Sequence, residues 1–178
     1  MSPVNPVSTA GTVHNESGRH QRRPLALVTG ATSGIGLAVA RDLAADHDLV
    51  LLARTTTDLA ELASVLGEET GSRMRTCAVD LTDDEALAVA VGELNLTQLD
   101  VLVNSAGVEA AGALEELSPA QWRSVLDLDL VAVAHLTSLL LPALRETRGL
   151  VVMINSGAGL RAWPRQALYC AAKAGLKA

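Results

Sequence analysis

From Pro24 onward, short apolar runs alternate with longer stretches in which apolar residues recur at helical spacing. The apolar runs at 25–29, 48–53, 73–79, 99–104 and 150–155 predict five strands. Between them, the spacing predicts helices over 34–45 and 57–66, then one that opens at Thr82. Thr82 and Glu85 fit a capping box there, and Asp83, Asp84 and Glu85 fill a first turn in which the helix dipole favours acids. Ser118-Pro119 reads as the N-cap and first residue of a long helix running to about Leu144. A last helix begins near Arg165 and is still running at Ala178. Continuously apolar strands alternating with helices predict an α/β fold, with a parallel sheet covered on both faces by helices and right-handed crossovers.

Composition narrows the function. The 178 residues suit one domain, and 49% are apolar, drawn mainly from Ala, Leu and Val, with no Phe, one Tyr and two Trp. Such a chain lacks the aromatic platforms of a nucleic-acid reader, and its net charge of −6 with mixed signs gives no footprint for DNA or RNA. Residues 1–23 are polar and rich in Ser, Asn, Pro and Gly, without an apolar run, and read as a disordered tail before a domain at 24–178. No stretch reaches the roughly 18 uninterrupted apolar residues of a membrane helix. The nearest, 130–144, is broken by His135, Thr137 and Ser138 and contains Pro142, so no membrane partner is expected. Cys77 sits in an apolar run and reads as a buried, inert thiol. His14, His20, His47 and His135 have no partner at i+3 or i+4, so no metal site is expected. A reducing, cytoplasmic setting fits this cysteine usage.

The first strand runs into Thr29-Gly30-Ala31-Thr32-Ser33-Gly34-Ile35-Gly36. Glycines here permit a tight turn and close approach of a pyrophosphate, and the helix that follows offers unpaired N–H groups and a partial positive charge. Thr32 and Ser33 add hydroxyl donors. The second strand ends Leu52-Ala53-Arg54, with a base and no acid. An Arg there matches a 2′-phosphate through planar paired donors, which favours NADP, with NAD possible. Near the end of the chain, Tyr169 and Lys173 stand four apart, on one face of the last helix. The ammonium would favour the phenolate, making Tyr169 a general acid in reduction and a base in oxidation.

Together T-G-x-x-x-G-x-G at Thr29 to Gly36 and Y-x-x-x-K at Tyr169 to Lys173 resemble the short-chain dehydrogenase/reductase family over residues 25–178. The resemblance implies a Rossmann-type, doubly wound sheet and hydride transfer between a nicotinamide dinucleotide and a small carbonyl or alcohol. It implies that the acid of Asp80-Leu81 bonds the adenine amino group. It also implies that Asn104, in Asn104-Ser105-Ala106-Gly107, ties adjoining strands while Ala106 and Gly107 lie against the adenosine ribose. Ser156, 13 residues before Tyr169, takes the family's carbonyl-binding place, and Lys173 also holds the nicotinamide ribose. The family's remaining catalytic residue is an Asn seven residues after a Trp. Here Trp122 is followed at that spacing by Asp129, a carboxylate expected to pair with Lys173 and weaken the proton relay.

The family implies seven strands, of which five are legible here, and possible homo-oligomers. A chain ending at Ala178 is expected to be weakly stable and little active. A non-catalytic dinucleotide-binding protein or an inactive remnant therefore stands as the alternative to an NADP(H)-dependent enzyme. The glycine spacing disfavours a sugar-nucleotide epimerase or dehydratase. Specificity is expected around 157–166, where Trp163 either walls the substrate pocket or packs, and in the family's substrate-closing loop, which is expected to follow Ala178.

Overall fold

The computed structural model describes residues 22–177. Five strands form one parallel sheet: β1 (Leu25–Thr29), β2 (Asp48–Ala53), β3 (Met74–Ala78), β4 (Val101–Asn104) and β5 (Leu150–Met153), in the order β3-β2-β1-β4-β5. Central β1 pairs with β2 from Leu25↔Asp48 to Thr29↔Leu52, and with β4 from Ala26↔Val101 to Val28↔Val103. Strand order reverses on either side of β1. In an open parallel sheet this reversal leaves a crevice beyond the carboxyl ends of the strands.

The alternation of side chains builds two cores. Leu27, Val50, Leu52 and Leu102 face α3 (Asp84–Leu94) and α5 (Ala132–Thr147), packing with Leu87, Val91, Leu136 and Leu140. Ala26, Val28, Leu49, Leu51 and Val103 face α1 (Gly34–Leu43) and α2 (Thr56–Thr70), packing with Ala40, Leu59 and Leu66. Each fully buried Leu or Val contributes roughly 1.5–3 kcal/mol relative to exposure. The fold is thus the parallel sheet covered on both faces that the alternating pattern implied, in the doubly wound, Rossmann-type form that the resemblance implied. A third, smaller cluster joins Val125 of α4 (Pro119–Leu126) to Leu168 and Ala172 of α6 (Ala167–Gly175) and so docks the helix that carries Tyr169 and Lys173.

Several boundaries differ from the sequence pattern, each for a local reason. The α1 helix stops at Leu43, not Ala45, and turns through Ala44 to Asp46. The α2 helix runs past Gly67 to Thr70 and ends where Gly71 turns left-handed at φ +68°. Thr82 does not cap α3. Its hydroxyl donates to Asp80 at 2.8 Å, and Asp83 caps instead by accepting from the Ala86 N–H at 3.0 Å. The last helix starts at Ala167 because Arg165 is left-handed at φ +60°, and it ends at Gly175.

Ser118 caps α4 as expected, in a reciprocal box with Gln121. The long helix is continuous in direction but widens into a π-helical turn over Asp127–Val131 before α5. Its 29 residues, Pro119–Thr147, are long and apolar enough to cross a membrane by length and composition, which the interrupted apolar run had not suggested. Its apolar side lies against the sheet through Ala132, Val133, Leu136, Leu140, Ala143 and Leu144. Arg22, placed in the tail by composition, pairs with Asp100 at 2.7 Å, and Arg23 donates to the carbonyls of Ala44 and Ala45. Residues 1–21, the rest of that expected tail, lie outside the described residues, as does Ala178.

Candidate active site

The glycine loop lies at the sheet's crevice, and each glycine answers a different demand. Gly30 has φ +64°, and a Cβ on it would sit 3.0 Å from the Ala106 backbone. A Cβ on Gly36 would collide with the Gly30 carbonyl, so the first turn of α1 presses directly on the loop. Gly34 is also left-handed, at φ +53°, but the space beside it is open. The N-cap residue Ser33 makes no side-chain cap, so no hydroxyl covers the first N–H groups of α1. Free donors, a dipole end and an open approach are what a pyrophosphate requires, and these residues fit the dinucleotide. Thr29 completes the loop. Its hydroxyl accepts from the N–H groups of Ser105 and Ala106, both at 3.0 Å, and so locks the turn after β4 over the glycines.

A cavity of about 900 Å³ runs from this loop along the sheet's edge. Gly30, Thr32, Ser33, Gly34 and Ile35 after β1 line it, together with Arg54 after β2, Asp80 and Leu81 after β3, and Ala106 and Gly107 after β4. Asp80 accepts from the Thr82 N–H and hydroxyl, and these bonds, helped by the nearby Arg54 charge, hold its carboxyl below the usual value of 3.8 against the opposing effect of burial. It therefore stands ionised as an acceptor. Two expected cofactor residues lie behind the wall. Gly36 supports the loop, and buried Asn104 reaches Thr137 at 3.4 Å and Met153 of β5 at 3.4 Å, tying neighbouring elements together. The sequence did not single out Val79, Val108 or Leu128, which also line this cavity. As apolar residues in or beside predicted elements, they carried no signal apart from packing.

A smaller cavity, about 250 Å³, is lined by Ser156, Tyr169, Ala158, Trp163, Glu109 and Gln166. It adjoins the larger one at the step from Val108 to Glu109. Ser156 accepts from the Ala158 N–H at 3.2 Å, which leaves its own hydrogen to donate. The Tyr169 ring lies over the Lys173 ammonium, 5.6 Å from its centroid. Trp163 is 46% exposed and walls this cavity.

Lys173 is buried and opens into neither cavity. Its ammonium donates to the Ile154 carbonyl at 3.4 Å and lies 3.0 Å from Oδ2 of Asp129, close but off the line of a hydrogen bond. Asp129 is fully buried, and its Oδ1 accepts from the Val108 N–H at 2.8 Å. The π-helical turn swings Asp129 inward. Gly107 makes room for it, since a Cβ there would meet Oδ2 at 3.0 Å. The carboxylate thus pairs with Lys173 as its position in the sequence implied. Among the described residues, no cluster of His, Cys, Asp and Glu has the makings of a metal site. Cys77 is buried, and burial raises its thiol pKa, as expected of an inert residue.

Comparison with known proteins agrees with this geometry. The family described as short chain dehydrogenase matches residues 24–178. Nodulation protein G of a Rhizobium species is 39% identical over 154 residues, covering 85% of this chain and 62% of that protein. The 3-oxoacyl-[acyl-carrier-protein] reductase FabG of Haemophilus influenzae is 31% identical over 155 residues, covering 85% of this chain and 63% of the relative. Among solved structures, an alcohol dehydrogenase from Thermococcus sibiricus complexed with 5-hydroxy-NADP superposes with a TM-score of 0.82 at 30% identity, covering 85% of this chain and 66% of that one. A short-chain dehydrogenase from Sphingobium yanoikuyae in complex with NADPH gives 0.77 at 32% identity, covering 85% and 60%. The chain therefore spans a little over three-fifths of the length of these curated relatives.

Proposed function

The chain belongs to the short-chain dehydrogenases, and from that premise we propose that it serves NADP(H)-dependent hydride transfer between nicotinamide and a small carbonyl or alcohol substrate. The observation that carries this reading is a pair of cavities lined by consecutive residues, Val108 in the larger and Glu109 in the smaller. One is lined by the glycine loop, Arg54 and Asp80, and the other holds Ser156 and Tyr169. A dinucleotide bound along the first supplies or accepts the hydride.

The chain's own residues do the rest. The first-turn N–H groups of α1, with Thr32 and Ser33, receive the pyrophosphate. Ala106 and Gly107 leave room for the adenosine ribose, and Asp80 accepts from the adenine amino group. Arg54 meets the 2′-phosphate, and the two solved relatives in complex with NADPH or an NADP derivative support that preference. Ser156 donates to the substrate oxygen. Tyr169 gives that oxygen a proton in reduction and takes it back in oxidation. Lys173 offers a positive charge beneath the Tyr169 ring, and it would reach the nicotinamide ribose only by turning away from Asp129 and the Ile154 carbonyl toward the cavity. Reversing hydride and proton together keeps the two directions chemically balanced.

One observation favours a second reading, a dinucleotide-binding protein without turnover. The buried Asp129 carboxylate compensates the charge of Lys173, which blunts its help to Tyr169. Titration of the purified chain with NADPH and NADH, followed by turnover on a panel of carbonyl compounds, separates the two. Tighter NADPH binding with turnover supports the enzyme. Binding without turnover supports the second reading, and no binding of either nucleotide sinks both.

A further inference from the structure

Lys173 faces two demands that it cannot meet at once. Hydride transfer asks its ammonium to reach the nicotinamide ribose, yet the side chain turns inward, 6% exposed, toward the fully buried Asp129. Its Nζ lies 3.0 Å from Oδ2 of Asp129 and donates to the Ile154 carbonyl across a long 3.4 Å. Oδ2 itself accepts no hydrogen bond from the described residues. The pair is therefore held by charge at close range rather than by directed bonds, and burial spares that attraction most of the screening that salt imposes at a surface.

Asp129 cannot follow if Lys173 leaves. Its Oδ1 accepts from the Val108 N–H at 2.8 Å, and a Cβ on Gly107 would meet the two carboxylate oxygens at 3.0 and 3.2 Å, so the loop after β4 closes on it. The π-helical turn that carries Asp129 is pressed against α6, since a Cβ on Gly175 would sit 2.9 Å from Leu130. The Lys173 backbone is pinned as well, its carbonyl oxygen 2.6 Å from where a Cβ on Gly159 would stand. Only the Lys173 side chain is left to move. Its departure would strand a carboxylate with no exposed surface, and a buried charge without its partner costs more than a hydrogen bond from an ammonium to a hydroxyl returns.

Resting on the dehydrogenase reading above, we infer that the Asp129–Lys173 pair is an autoinhibitory contact, in which Asp129 competes with the nicotinamide ribose for the Lys173 ammonium and wins. Dinucleotide affinity then comes from the residues of the larger cavity, the glycine loop, Arg54 and Asp80, and the nicotinamide half adds little to it. An amide at position 129 would keep an acceptor for the Val108 N–H but carry no charge, freeing Lys173 for the ribose.

Two ligands separate the halves. 2′-Phospho-ADP keeps every group assigned to the larger cavity and lacks the nicotinamide riboside. The ratio of its dissociation constant to that of NADPH therefore reads what the nicotinamide half contributes. Calorimetric titration of the unaltered chain gives a ratio below about ten, because a hydrogen bond from a free ammonium would by itself be worth about that much. With Asp129→Asn, NADPH binds about tenfold tighter and 2′-phospho-ADP as before, and adding Lys173→Met closes the gap again. A ratio above about ten in the unaltered chain overturns the proposal, and it decides even where the buried pair does not tolerate replacement. A ratio untouched by Asp129→Asn also overturns it. So does a weakening of both ligands together, which would make Asp129 a support for the Val108 wall, or a gain that survives loss of the ammonium. Measurable binding with the wrong ratio sinks only the autoinhibitory contact, whereas failure of both ligands to bind sinks the dinucleotide reading and the contact with it.

Discussion

Tyr169 and Lys173 share one face of α6 but not one environment. The phenol opens onto a cavity, whereas the ammonium is buried between Ile154 and Asp129. This separation lets single substitutions pull the two roles apart. Tyr169→Phe removes only the proton donor, so turnover should fall by roughly 10²–10⁴-fold while NADPH affinity holds, as read by fluorescence titration and a coupled assay. Asp129→Asn keeps the shape and the acceptor for the Val108 N–H but removes the compensating charge. Turnover should then rise severalfold, and an unchanged or lower rate would mean that the carboxylate does not restrain Lys173. Sequence made these positions legible by two routes: Tyr169 and Lys173 stand one helical turn apart, and the family resemblance marks Asp129 as the residue seven after Trp122. Glu109 and Gln166 were not legible as a pair, since 57 residues separate them and only the fold joins them.

At the scale of elements, the glycine loop offers a paired test. Gly36→Ala drives a methyl into the Gly30 carbonyl, and such overpacking costs about 1–3 kcal/mol. Because the collision deforms the phosphate turn itself, NADPH binding should be lost as well. Gly34→Ala meets open space and bears only the left-handed backbone, a cost of about 1–2 kcal/mol, so urea denaturation should rank it above Gly36→Ala in stability. Acid tolerance belongs at this scale too. Asp48 would be raised by burial, but the Arg73 N–H and guanidinium, bridging β2 to the start of β3, hold it below 3.8. Asp100 is likewise lowered, with Arg22 and the Leu25 N–H outweighing burial. Groups depressed on folding contribute stability that is complete above their ordinary value and is lost as pH falls through the folded one. Stability should therefore decline below about pH 4, and Asp48→Asn should flatten that decline while lowering stability at neutral pH, both visible in thermal melts. The five strands were read correctly in number and order along the chain: the central β1, β2 and β4 are buried and leave apolar runs, whereas the outer β3, Met74–Ala78, is largely exposed and stood out through its place in the strand–helix alternation. Helix ends were read less well. They turn on left-handed residues such as Gly71 and Arg165, and nothing in an apolar period marks which residue will take that conformation.

For the whole molecule, the decisive property is that one crevice collects residues from the carboxyl ends of β1 to β4. The parts most legible in sequence, the glycine loop and Arg54, line one cavity at the ends of the neighbouring strands β1 and β2, so a dinucleotide touching both ties the β1–α1 turn to the end of β2. A ligand that binds only the folded chain stabilises it by mass action, by about 2.7 kcal/mol at a hundred times its dissociation constant. For a domain of this size, that corresponds to a rise in melting temperature of roughly 5–11 °C. NADPH at such a concentration should produce this rise, and NADH at the same concentration a smaller one, because only the former carries a phosphate for Arg54. Arg54→Ala should bring the NADPH response down to that of NADH while leaving the NADH response nearly intact. If both nucleotides lose stabilising power equally, Arg54 supports the cavity wall rather than reading the phosphate. If NADPH and NADH stabilise the unaltered chain alike, the preference is not encoded at the end of β2, and the recognition of the ribose must rest on other residues of the crevice.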